Sequence, residues 1–246
     1  MPRAELVAAP PVIELRQYTL HNGRRDELIA LFDRELVETQ EATGMTILGQ
    51  FRDLDDPNRF VWLRGFPDMD TRLHALTAFY GGPVWAEHAH RANATMVDSD
   101  DVLLLRPLAA GSGPAVRPSE RAAFGTPAPD RFVSATVWSF PPGRDEGPAT
   151  VRDRLVPVLR ETGPAPLAVL GTESAPNTFP GLPVRTGENV AVVLTSYPDE
   201  SAHRRHVAEL RAHPVAGAEI LPAIEREQVA PVRTLRLTPT GRSLVA

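Results

Sequence analysis

Glu14, Arg16 and Tyr18 recur at period two within a short apolar run, and Trp62 and Arg64 do so in a later one. At that spacing each set emerges on one face of a β-strand. An arginine held there can stabilise an enolate or phenolate, and a tyrosine or histidine beside it can move a proton. Tryptophans supply a wall on which an aromatic ring stacks. Arg16, Tyr18, Arg64 and His88 are therefore the candidate catalytic residues, and Trp62 and Trp85 the candidate substrate-binding residues. A plainer reading stands beside this one. Glu14, Arg16 and Arg64 could form an ion-pair network at a sheet edge or sheet–sheet contact, with the tryptophans as core.

Histidine suits proton transfer near neutrality. His88 follows Trp85 by one helical turn, so the two share a face, whereas His90 points elsewhere and makes a poor metal pair with it. His21 ends a strand and could sit at a cavity mouth. His203 and His206, with His213 beyond, read as a solvated helix face without an acidic ligand at fixed spacing. No metal site is expected. The sequence has no G-x-G-x-x-G, Walker loop, H-E-x-x-H or G-x-S-x-G, which removes the common nucleotide, zinc-protease and hydrolase signatures. It has no cysteine either, which removes thiolate catalysis and disulfides.

The elements that position these residues come twice. Segment 108–131 is dense in Gly, Pro, Ala and Ser and reads as a flexible linker. On either side the same anchors recur in the same order. Gly23-Arg24 answers Gly143-Arg144 and Thr43-Gly44 answers Thr162-Gly163, at offsets of 120 and 119. Phe66-Pro67-Asp68 answers Tyr197-Pro198-Asp199 and Pro83-Val84 answers Pro214-Val215, both at 131. About eleven residues are thus inserted in the second copy, and they fall in a Pro-rich stretch, 173–188, expected to be a long loop placed to act as a lid. Each copy reads β-α-β-β-α-β, the split ferredoxin-like motif, over 12–107 and 132–238. Pro157 should kink the first helix of the second copy. Ile13 and Leu15 are apolar on one strand face while Phe60, Trp62 and Phe66 are aromatic on the other. An α+β fold of two such units packed sheet to sheet buries both.

The copies differ in equipment. Ser134, Thr136, Val193 and Thr195 stand where the first copy has Glu14, Arg16, Trp62 and Arg64, and Ala216 where it has Trp85. A ligand pocket is therefore expected mainly in the first copy, and Arg64→Thr is expected to leave stability nearly unchanged. The 246 residues carry a formal net charge of −5, and all 26 basic residues are arginine. No basic stripe offers itself to nucleic acid, and no apolar run is long enough to cross a bilayer. The arginine, alanine and proline bias is that of a GC-rich bacterial genome. Met1 to Pro11 reads as a frayed tail rather than a secretory signal, so the expected location is the cytoplasm.

Ile13-Glu14-Leu15-Arg16-Gln17-Tyr18-Thr19-Leu20 with Gly23, then Phe66-Pro67-Asp68 and Pro83-Val84-Trp85, resembles the NIPSNAP family. The second copy resembles it less, since Ser134-Ala135-Thr136 replaces Glu14-Leu15-Arg16. The resemblance implies the dimeric α/β-barrel superfamily, in which two ferredoxin-like units pair through their sheets. That superfamily includes cofactor-free quinol-type oxygenases, isomerases, cyclases, haem enzymes and stress proteins, so it implies fold more than function. The expected function is a cofactor-independent enzyme on an aromatic or polyketide-like small molecule. The alternatives are a non-catalytic binding or assembly module, compatible with a homodimer, and a haem protein with His88 as axial ligand.

Overall fold

The computed structural model describes residues 10–246, and the expected N-terminal tail lies almost wholly outside them. The first unit runs β1 (Val12–Leu20), α1 (Arg25–Leu31), a π turn (Phe32–Leu36), α2 (Val37–Glu41), β2 (Thr46–Asp53), β3 (Arg59–Phe66), α3 (Met69–Tyr80), α4 (Pro83–Asn93) and β4 (Met96–Pro107). The second runs β5 (Phe132–Ser139), α5 (Glu146–Thr150), a π turn (Val151–Leu155), α6 (Val156–Thr162), β6 (Ala168–Thr172), β7 (Val190–Tyr197), α7 (Glu200–Ala212), a π turn (Ala216–Ile220), α8 (Leu221–Glu227) and β8 (Arg233–Pro239). Both long N-terminal helices break their α register at the same point. Pro157 therefore does not cause the break, because the first unit has no proline there.

The repeat anchors have physical reasons. Gly23 and Gly143 both turn with φ near +74°, the left-handed region that favours glycine. Asp68 and Asp199 both cap a helix, accepting the backbone N–H of Thr71 and Ala202, as a short acidic side chain at the N-cap does.

The eight strands close into one barrel in the order β1-β3-β2-β8-β5-β7-β6-β4. Each unit contributes its four strands as a block. The units do more than face each other, because their edges join at β2–β8 and β4–β6. Closure removes the open strand edges that a lone unit would expose. The interior is apolar: Ile13, Leu15, Leu63, Val133, Val192 and Leu237 belong to one buried cluster. Alternate residues face outward beneath the helices and form a separate cluster in each unit. The charged and aromatic candidates lie on this helix-covered face, neither at a sheet edge nor between sheets. Segment 108–131 is not a free tether. Val116 joins the barrel core, and Arg121 bonds Glu41 and the Ile47 carbonyl.

The inserted segment between Thr172 and Val190 has no helix or strand, as its prolines suggest. It crosses the β4–β6 seam and lies against the first unit. The Arg185 N–H bonds the Val102 carbonyl, and the Phe179 ring stacks on Tyr80 at 5.9 Å.

Candidate functional site

Each unit has a compartment between sheet and helices, built at equivalent positions and filled differently. In the first, strand register sets Glu14 opposite Arg64 and Arg16 opposite Trp62, so their side chains meet across the pair. Arg16 Nη1 and Arg64 Nε donate to Glu14 Oε2 at 2.6 and 2.8 Å. From α3, Arg72 Nε donates to Oε1 at 2.7 Å. All four side chains are fully buried. Burial alone would raise the Glu14 pKa, but Arg64, Arg16 and Arg72 together hold its carboxyl well below the usual range. Arg16 Nε also donates to the Tyr18 hydroxyl, and Arg64 Nη1 reaches Gln40 and Tyr80. Arg72 Nη1 ties down the inserted segment through Asn177 and Thr178.

The sequence reading missed Arg72. Arg72, Ala75, Leu76 and Phe79 are the buried residues of α3. The helix is turned so that Arg72 reaches Glu14. The spacing of Arg72, Leu76 and Phe79, one helical face, carried that signal.

Arg16, Tyr18, Trp62 and Arg64 are thus brought together, but with little room. The void beside them has a volume of about 20 Å³ and is lined by Tyr18, Trp62, Tyr80 and Trp85 among others. That holds about one water. Trp85 reaches the void while Arg64 does not line it. His88 lines neither compartment and lies 3.7 Å from Glu35, so it is not placed as an axial haem ligand there. His21 is exposed.

The second compartment is hollow. Its cavity has a volume of about 170 Å³, walled by Trp138, Leu159, Val193 and Ile224; Ser134, Thr195, Tyr197, His206 and Gln228 are among its polar groups, and Arg211 and Glu225 also line it. The expectation that a pocket would lie mainly in the first unit is therefore reversed. Thr136, Val193 and Thr195 leave the space that Arg16, Trp62 and Arg64 occupy in the first unit. His203 stands where the first unit has Arg72, and it stacks on Phe132 at 4.8 Å.

His206 was read as part of a solvated face, yet it is 4% exposed. Its surroundings fix its tautomer. The Thr162 hydroxyl donates to the Val158 carbonyl, so its oxygen accepts from His206 Nε2 at 3.0 Å. Nδ1 is left to accept from the Tyr197 hydroxyl at 2.8 Å. Burial lowers the His206 pKa, opposed in part by Glu209 and the Leu159 backbone, which keeps the ring neutral near pH 7. Burial raises the Tyr197 pKa, and the Ser134 and Thr195 hydroxyls partly offset this. Gly163 makes room for the ring, since a Cβ there would lie 2.5 Å from His206 Nε2. Gln228 Oε1 is buried without a hydrogen-bond partner. Among the described residues no three His, Asp or Glu side chains converge as metal ligands.

The NIPSNAP family model matches residues 13–110. That match covers the first unit. No curated protein matches the sequence. Among solved structures, an anthrone oxidase-like protein aligns over 96% of this chain and 94% of its own, with a TM-score of 0.65 and 12% identity. Candidate monooxygenases from Fusobacterium nucleatum and Lactobacillus acidophilus each give a TM-score of 0.55, at 11% and 14% identity. They cover 95% and 96% of this chain, and 94% and 99% of their own. At such identities the likeness is one of fold: a tandem barrel of dimeric α/β type, with the NIPSNAP match in its first half.

Proposed function

We propose that the protein is a cofactor-independent enzyme that deprotonates a small hydroxylated aromatic molecule in the second-unit chamber and hands the anion to dioxygen. One observation carries this reading: an apolar cavity of about 170 Å³ with the Tyr197–His206 pair at its wall. A dry cavity of about 150 Å³ accommodates a benzene ring, so the chamber takes at least one ring against Trp138. The unpartnered Gln228 Oε1 suits a hydroxyl donor on the ligand. The names of the structural neighbours, monooxygenase and anthrone oxidase-like, agree with oxygen chemistry.

The substrate hydroxyl donates to the Tyr197 oxygen while the Tyr197 proton passes to His206 Nδ1. Tyr197 therefore relays the proton without resting as phenolate, which burial disfavours. Ser134 and Thr195 support the negative charge formed beside them. The resulting carbanion, a tautomer of the aryloxide, adds dioxygen at carbon. The peroxide anion so formed takes the proton back from His206, and the resulting hydroperoxide loses water, so a methylene becomes a carbonyl: one oxygen atom enters the product and the other leaves as water.

The first-unit candidates Arg16, Tyr18, Trp62, Arg64 and Trp85 are assigned no part in this chemistry, because their compartment is filled. His88 is assigned none because it lines neither compartment. Oxygen uptake by purified protein with 1,8-dihydroxyanthrone, without added cofactor, tests the proposal. Uptake should match carbonyl formation one to one and be lost in His206→Leu. No uptake with a ligand shown to bind, or full activity in His206→Leu, would sink it.

A further inference from the structure

The first unit buries three guanidiniums against one carboxylate. Arg16, Arg64 and Arg72 all bond Glu14, and their other partners are neutral: Tyr18, Gln40, Tyr80, Asn177, Thr178 and a backbone carbonyl. Among the described residues, Glu14 is the one carboxylate within ion-pair distance of Arg16, Arg64 and Arg72. The compartment thus holds two positive charges in excess, and buried charges of this kind are rarely left unpaired.

The excess charge coincides with free donors. Arg64 Nη2 and Arg72 Nη2 are buried and have no hydrogen-bond partner among the described residues. Each guanidinium is pinned by its other nitrogens. Arg64 Nε and Arg72 Nε grip opposite oxygens of Glu14, and each Nη1 is engaged elsewhere. The two free donors therefore flank the same carboxylate. A water would satisfy an N–H but would leave the charge.

We propose that this cluster is a binding site for a compact monovalent anion, a halide or a small carboxylate such as formate, held between Arg64 and Arg72 beneath the inserted segment. The side chains of Glu14, Arg16, Arg64 and Arg72 are all fully buried, so only a compact guest fits among them. Arg72 also holds Asn177 and Thr178, so an anion that fixes its guanidinium helps seat the inserted segment on the first unit. The site is separate from the second-unit chamber, and its failure would leave that chamber's reading intact.

Two measurements on the wild-type protein test this. The melting temperature is followed as sodium gluconate, too bulky to enter, is exchanged for chloride or formate at constant ionic strength. Either compact anion should raise it saturably, on the order of 5–10 °C at a hundred times its dissociation constant. The larger rise identifies which anion class the site prefers. Anomalous diffraction from crystals grown in bromide should place a peak within hydrogen-bond distance of Arg64 Nη2 or Arg72 Nη2. A melting temperature the same in all three salts, or bromide peaks at exposed arginines alone, would overturn the proposal.

Discussion

Two compartments with one backbone plan hold opposite contents. In the first unit, Glu14, Arg16, Arg64 and Arg72 fill the space between sheet and helices with charge. In the second, Ser134, Thr136, Thr195 and His203 stand at those positions and leave a cavity of about 170 Å³. The barrel core is shared by both halves, so one scaffold carries both compartments. The insertion sharpens the contrast. It belongs to the second unit by sequence but seals the first, through Phe179 on Tyr80 and Arg72 on Asn177. The duplicated chain thus separates a filled half from a hollow one.

The largest expected effect lies in the filled half. Glu14→Leu leaves three buried guanidiniums without their carboxylate and should cost about 3–5 kcal/mol, the scale for breaking a buried ion pair. The equivalent Ser134→Ala should cost about 1 kcal/mol. Denaturant unfolding of both variants checks this, and equal losses would break the comparison. Full burial of Arg64 against Glu14 also revises the near-neutral expectation for Arg64→Thr. That variant should lose about 3 kcal/mol or more.

Activity should respond the other way round. Tyr197→Phe removes the relay and should lower turnover about 10²–10⁴-fold. Tyr18→Phe, made in the filled compartment, should change it less than about twofold on the same argument. A kinetic assay in which Tyr18→Phe was the more damaging would return the chemistry to the first unit. A smaller effect follows from Gly163→Ala. Its methyl group would displace the His206 ring and should lower turnover by about 10²-fold at most, with the missing Tyr197–His206 hydrogen bond visible by NMR.

The strand face and its contents were legible in the sequence, because period-two alternation and the repeat offsets mark both units. Arg16, Tyr18, Trp62 and Arg64 do assemble as their spacing implied. The meaning of the assembly was not legible. Whether a set of large residues lines a pocket or fills one depends on helix height and on the insertion above it, and neither is encoded in strand alternation. His206 was missed for a related reason. A histidine spaced like a surface residue becomes a core residue when Gly163 and Tyr197 make a niche for it, and those partners lie far from it in sequence or in another element.

The smallest effect separates the halves by pH. Burial lowers the pKa of His206 and His203 below the unfolded value of 6.5. The unfolded chain therefore takes up protons first as pH falls, and this contribution, complete above pH 6.5, declines below it. Glu14 is shifted down from 4.5, so its contribution persists until the pH falls below that value. Stability measured against pH should decline in two stages. His206→Leu should reduce the upper stage and leave the lower one in place.

Ligand position tests the account most directly. Crystals grown with 1-naphthol, a phenol small enough for the chamber, should show its ring against Trp138 with its hydroxyl within hydrogen-bond distance of Tyr197 or Gln228. The first-unit compartment should contain no ring. Naphthol density among Tyr18, Trp62 and Trp85, with the second-unit chamber empty, would contradict it.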